Sequence, residues 1–364
     1  MNIALNFYTN SAGGTIGFKF NIIKQLQNLE RSNAHNYFVI ADKKTAELFK
    51  ETEIKFIILE PSNKLDIFYF YISKANQKLK EHKIDRVINF GDIPIRTNID
   101  QTFYFDWPYA VYRDQDIWKR MSFKDYFSKK LKLFFFEISI KYVNKWIAQT
   151  ELMKRKLENN YALKNISVVD MGLEPNQDNL NKNIDKKNYL VYPTIYYPHK
   201  NIEILLGVAE LIKKNNDDLS IILTITKEDH KKSKTFIEKV YKNKLEKILV
   251  IKGRLERNIL IDFLLSSRGL LMPALIESYG LPYIEAQSLG IPIFTSNRDF
   301  AKELCKDSAF YFDPHNSKDI YNCITNALAN EKIINEKLEM QNEILIKKIT
   351  WSEVTEKIIN VCKK

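Results

Sequence analysis

Cysteine is scarce in this chain. Its three residues, Cys305, Cys323 and Cys362, sit in the last sixth of 364 positions, with no C-x-x-C pair and no companion histidine at metal-ligand spacing. That excludes a disulfide framework and a structural zinc site, and it fits a reducing cytoplasm. Long apolar runs are missing too: none approaches the roughly 18 residues that span a bilayer. The opening MNIALNFYTN lacks the basic and then apolar layout of a secretory leader, so the expectation is a protein neither exported nor threaded through a membrane. Glycine and proline number ten each. Of the five histidines, His35, His82, His230 and His315 are scattered among polar neighbours, and His199 reads as a packing or capping residue.

What is present suffices for two cores. The chain is 45 % apolar and 12 % aromatic, and at roughly 100 to 200 residues per domain its length corresponds to about two domains. Lysine and arginine total 56 against 45 acidic residues, a formal +11, which favours an anionic partner such as nucleic acid, lipid or nucleotide. Short runs rich in β-branched and aromatic residues recur at 2–7, 37–41, 55–59, 86–90, 102–105, 146–148 and 166–169. Segments of helical spacing separate them, which is the layout of parallel βαβ units. A polar stretch at 176–188 has only Leu180 and Ile184 as apolar members and reads as a linker. The pattern then restarts at 189–192, 220–224, 248–251, 269–272, 293–295 and 309–312. The expected architecture is α/β, with doubly wound domains over 1–175 and 189–350. A helical tail over 317–364 breaks near Thr350, Trp351 and Ser352.

In open α/β sheets, ligands bind at the carboxyl ends of strands, where loops feed helix N-termini. After the first strand, Gly13-Gly14 lets the backbone approach a ligand closely, or serves equally as a tight turn. The densest candidate lies at 270–292. A buried strand ends at Pro273, a loop carries Glu277 and Tyr279, Gly280-Leu281 opens a helix with Pro282 in its first turn, and Glu285 follows one turn later. A gap of eight between glutamates is weak alone, since Glu238 with Glu246 and Glu331 with Glu339 have it on ordinary helical segments. The strand, loop, glycine and helix start around Glu277 give the first pair its weight.

The segment Glu277-Ser278-Tyr279-Gly280-Leu281-Pro282-Tyr283-Ile284-Glu285 resembles the E-x7-E signature of retaining glycosyltransferases of family 4, which have the GT-B fold of two Rossmann-like domains facing a cleft. Other pieces agree in order. Tyr192-Pro193 through Pro198-His199-Lys200-Asn201 is similar to the family's donor-phosphate loop, and Glu303 to Ala309 to a later segment. Ile147-Ala148-Gln149-Thr150 resembles the last strand of the first domain, Met171 to Pro175 the interdomain segment, and Gly13-Gly14 the N-terminal glycine loop. The resemblance implies that Glu285 accepts hydrogen bonds from the nucleotide ribose and that Glu277 contacts the donor sugar near the reacting carbon. It further implies that Gly280 and Leu281 hold the diphosphate through backbone N–H groups, with Tyr279 beside them, while Lys200 neutralises the leaving phosphate. No metal or other cofactor is implied, only a nucleotide-diphosphate sugar donor, UDP- or GDP-linked. By the same resemblance residues 351–364 cross back to the first domain.

Two departures stand out. The arginine that many members place shortly before the phosphate-binding lysine is missing, and Arg254 is the expected substitute. Where relatives offer a histidine beside the acceptor this chain has Phe105, which leaves Asp106 to orient the acceptor. The implied activity is transfer of a sugar to a hydroxyl of a lipid-linked surface glycan, such as O-antigen, lipopolysaccharide or capsule. A catalytically silent sugar-nucleotide or polyanion-binding module, and a GT-B sugar-nucleotide epimerase, are the alternatives.

Between Trp118 and Lys156, eleven basic residues face three acidic ones among many aromatics. Lys129, Lys130, Lys132, Phe134 and Phe135 form the expected patch for an anionic membrane surface, which places the protein on the inner face of the plasma membrane. The alternative is helix-core aromatics with a solvated basic face. No nucleic-acid module accompanies the patch, so a nucleic-acid partner is not expected. Asp114-Gln115-Asp116 has the D-x-D form of metal-bound sugar nucleotides but follows no strand and reads as a solvated turn.

Overall fold

The computed structural model describes residues 1–9, 14–32, 35–60, 63–113, 117–173 and 185–364. They fall into two α/β units, the first comprising Met1–Asp114, Met121–Glu174 and Ile349–Lys364, the second Gln115–Arg120 and Pro175–Lys348.

The first unit is built on seven parallel strands: β1 (Asn2–Asn6), β2 (Asn36–Ala41), β3 (Lys55–Ile58), β4 (Arg86–Asn89), β5 (Asp100–Phe105), β6 (Lys145–Ala148) and β7 (Ile166–Val168). Their order across the sheet is β3-β2-β1-β4-β5-β6-β7. Helices cover both faces, so the central strands are buried throughout and read as continuous apolar runs rather than alternating ones. Strand order reverses between β1 and β4. There the Asn6 amide donates to Asn89 Oδ1 at 2.8 Å, while the N–H groups of Tyr8 and Gly91 donate to Asn6 Oδ1 and Asn89 Oδ1. Two buried asparagines thereby shape the loops that leave both strands.

The second unit has six parallel strands: β8 (Tyr189–Tyr192), β9 (Ser220–Leu223), β10 (Leu249–Ile251), β11 (Gly269–Met272), β12 (Ile293–Ser296) and β13 (Phe310–Phe312). Their order is β10-β9-β8-β11-β12-β13, so this sheet reverses between β8 and β11. The sequence runs match these thirteen strands to within two residues at each end.

The last helix, Trp351–Lys363, packs into the first unit. Thr350 caps it and Glu353 closes a capping box, which fixes the start where the periodicity breaks. Trp351, Val354, Ile358, Ile359 and Cys362 face inward. The far end is held by Arg86 and Lys145, which both donate to the carbonyl of Cys362.

Candidate active site

The reversal between β8 and β11 brings together two residues 77 positions apart. After β8 the chain makes a single turn, Pro198–Lys200, and Asn201 follows with φ +55°, a left-handed conformation that asparagine tolerates better than most residues. The turn is fastened to the loop leaving β11. His199 O accepts from Leu275 N at 2.8 Å, and the Asn201 amide donates to the carbonyls of Pro273 and Pro314. Tyr192, buried in β8, donates its hydroxyl hydrogen to Lys200 O at 2.9 Å. Lys200 Nζ then meets Glu277 Oε1 at 2.5 Å, with only 19 % and 9 % of the two side chains exposed. The buried Tyr192 hydroxyl sits well above its usual pKa, through burial first and the Glu277 charge second. Glu277 is largely withdrawn from water and paired with one ammonium.

Three residues on, Gly280 has φ +100°, and a Cβ there would lie 2.8 Å from the Tyr283 ring. Only glycine makes this turn into the helix Leu281–Ser288, whose first-turn Pro282 needs no hydrogen-bond partner. Glu285 lies one turn along that helix and pairs with Arg257 at 3.2 Å. Sequence reading missed Arg257, which lies 28 residues upstream on the helix Arg257–Ser266. Tyr279 turns inward. It is buried, and its hydroxyl accepts from Lys348 Nζ at 2.9 Å, so its side chain packs the second unit.

Arg254 is 69 % exposed, with Nη2 3.6 Å from Asp229 Oδ1. Asp229 was also missed by sequence reading. Its buried carboxylate accepts from the N–H groups of Tyr196 and Thr226 and from the Thr226 hydroxyl, so it ties together the loops after β8 and β9.

In the first unit, Asp106 closes β5 with Asp92 and Lys132 beside it. Lys132 pairs with Asp92 at 2.8 Å and lies 4.4 Å over the Trp107 ring, while Lys129 lies 4.1 Å over Tyr109. Burial first, then the Asp92 charge, pushes Asp106 up to about 7 against the pull of Lys132. Burial first, then Lys132, pushes Lys129 down to about 8. In the unfolded chain an aspartate titrates near 3.9. Between about pH 4 and 7 the folded protein retains a proton that the unfolded chain has released, so the Asp106 contribution to stability falls as pH rises through that window. Asp106→Asn removes this dependence, which urea titrations of both proteins at pH 4 and 8 will show. Gly13, Asp114 and Asp116 lie outside the described residues; Gly14 begins the helix Gly14–Ser32.

The expected membrane patch is reoriented. It lies on the helix Phe123–Ser139, with Leu133 and Phe136 buried beneath. Lys129 and Lys132 turn onto the aromatic rings and Asp92, and Phe135 packs edge-on against Phe68 at 4.0 Å. The outward face is instead an apolar stripe at helical spacing, Phe123, Phe127, Leu131, Phe134 and Ile138, each at least 47 % exposed. Among the described residues no helix is long and apolar enough to cross a membrane.

With this geometry in place, the comparisons bear on the second unit. Residues 174–345 match the model of the family described as glycosyl transferases group 1. Over this segment the chain is similar to that family. The segment holds Lys200, Glu277, Gly280 and Glu285, the whole β8/β11 site. The O-antigen biosynthesis glycosyltransferase WclY of Escherichia coli is 34 % identical over 171 residues, covering 43 % of this chain and 46 % of that protein. The chain thus spans about half the length of that curated relative. Among solved structures, WaaG, a glycosyltransferase involved in lipopolysaccharide biosynthesis, superposes with a TM-score of 0.73 at 15 % identity, over 99 % of both chains. Anabaena Alr3699/HepE, solved with UDP and glucose, gives 0.71 at 13 % identity over 100 % of this chain and 99 % of that one. These likenesses extend the fold assignment beyond the matched segment: the chain is α/β, with two parallel-sheet Rossmann-like domains of GT-B type.

Proposed function

We propose that this chain is a retaining, family 4 glycosyltransferase that works without a metal. It moves a sugar from a UDP- or GDP-linked donor to a hydroxyl of a lipid-linked surface glycan, on the cytoplasmic face of the plasma membrane. The observation that carries the reading is the Lys200–Glu277 pair at the strand-order reversal of the segment similar to group 1, one short loop from the Gly280 helix start.

In this reading the diphosphate lies at the N–H groups of Gly280 and Leu281, with Lys200 turned to it. Glu277 accepts from the donor sugar's hydroxyls, and Glu285, steadied by Arg257, accepts from the ribose. Transfer breaks the bond between the anomeric carbon and the leaving phosphate oxygen while the acceptor oxygen bonds to the same carbon on the same face. The acceptor proton passes to the departing phosphate. The protein's part is positioning and charge stabilisation, since Lys200 meets a charge that grows as the bond breaks. Asp106 orients the acceptor hydroxyl from the end of β5.

A thermal-shift panel of UDP-, GDP-, dTDP- and CMP-sugars in EDTA tests the donor assignment, because a ligand held only by the folded state raises its melting temperature. Stabilisation by one nucleotide class, lost in Glu285→Ala, is expected; no shift with any donor would leave the silent-module alternative standing. For the membrane, the apolar stripe on Phe123–Ser139 supports insertion at the headgroup level, with Lys124 and Lys130 flanking it. Phe127→Ser with Phe134→Ser should cut binding to phosphatidylglycerol vesicles about tenfold or more, as sedimentation will measure, and unchanged binding would remove the membrane from the proposal.

A further inference from the structure

The helix Phe123–Ser139 gives the first unit two unlike surfaces. Outward lies the apolar stripe, in which Phe123 is 86 % exposed and Phe127 60 %. The helix is the crossover between β5 and β6, so it starts at the carboxyl edge of the sheet, where open α/β folds take ligands. There Lys129 and Lys132, three residues apart and hence on one side of the helix, lie over the rings of Tyr109 and Trp107 just past β5.

The two ammonium groups are not equally compensated. Lys132 pairs with Asp92, from the loop after β4, at 2.8 Å. Among the described residues, Lys129 has the Tyr109 ring at 4.1 Å and no carboxylate within ion-pair distance. The charged groups that face it are Lys132 and Asp125 on its own helix and Asp92 across from it. Asp92 already holds Lys132, and Asp125 accepts from the Ser122 hydroxyl at 2.6 Å. Burial first, then Lys132, holds Lys129 down at about 8, which is the signature of a cation kept at a cost to itself. A desolvated ammonium beside a second one is complementary to an anion with several oxygens, and lysine meets phosphate as a point charge.

The surroundings narrow the choice of anion. On the lipid-linked acceptor proposed above, on which this step rests, the lipid lies at the outward stripe and the reacting hydroxyl at Asp106. A helix about 10–12 Å across separates those two places. The group that joins lipid to glycan spans that width, and in a phosphate-linked acceptor it is the anion. We propose that Lys129, with Lys132 beside it, binds the diphosphate that joins lipid to glycan in the acceptor.

Isothermal titration of the full chain with geranyl diphosphate, a water-soluble lipid diphosphate, tests the site without vesicles, nucleotide or transfer activity. Binding is expected in the wild type at pH 8, at least tenfold weaker in Lys129→Met, partly retained in Lys129→Arg and unchanged in Lys141→Met, which removes an exposed lysine over Tyr142. A second readout separates ligand binding from packing. At pH 8 Lys129 is partly neutral, and an anion at its nitrogen draws in a proton. The wild-type heat should therefore vary with the ionisation enthalpy of the buffer by more than that of Lys129→Arg, whose guanidinium stays charged. No binding by the wild type, equal affinity in Lys129→Met, or the same loss in Lys141→Met would overturn the site. Equal affinity for inorganic pyrophosphate would overturn the lipid link. Equal KM for acceptors with and without the lipid diphosphate would instead sink the lipid-linked reading itself, and the nucleotide panel stands or falls apart from all of these.

Discussion

Glu277→Gln is expected to lower sugar transfer by about 100- to 1,000-fold, the scale set by removing one preorganised charge-stabilising group from a water-poor site. The side chain is 9 % exposed and holds Lys200 Nζ at 2.5 Å. Its loss removes the acceptor for the donor sugar and also leaves an ammonium without its counter-charge. Breaking one partner of such a buried pair costs about 3–5 kcal/mol, so a drop in activity alone would not separate chemistry from folding. The double variant Lys200→Met, Glu277→Leu does so: replacing both charges by apolar groups of similar size restores much of the stability but none of the activity. Rates measured beside melting curves for the two single variants and the double variant check this. Full activity in a folded Glu277 variant would sink the assignment of the site.

Trp351→Ala should destabilise the first unit by about 3–5 kcal/mol, the cost of truncating a large buried aromatic. The indole is 6 % exposed and packs edge-on against Phe18 at 5.7 Å. A Cβ added at Gly172 would lie 2.7 Å from both the indole ring and the Trp351 backbone, so Gly172→Ala presses on the same seam from the other side. Guanidinium unfolding followed by tryptophan-independent circular dichroism measures both effects. A loss below about 1 kcal/mol for Trp351→Ala would mean that the last helix adds little to the first unit.

The strands were legible because both sheets are parallel and covered on both faces, so each strand announces itself as a compact apolar run. The spacing of Glu277, Gly280 and Glu285 was legible because it lies within one loop and one helix, where chain distance sets spatial distance. Arg257, Asp229 and Arg120 were not, since they reach their partners from 28, 33 and 81 residues away, measured to Glu285, Tyr196 and Asn201. Only the strand order brings those loops together. The orientation of the patch on Phe123–Ser139 was not legible for a different reason. Counting aromatics and lysines over a window gives composition but not phase, and the phase turns Leu133 and Phe136 inward while Phe127 and Phe134 face out.

Because Trp351–Lys363 completes the core of a unit that begins at the second residue, order of synthesis and order of folding diverge. The second unit has all of its strands out of the ribosome while the first still lacks its closing helix, so the usual N-terminal-first order is reversed for the final step. Until residue 362 emerges, Phe18 and the face of β4, β5 and β6 that this helix covers keep an apolar surface exposed, and the nascent chain is open to aggregation for as long as that face stays bare.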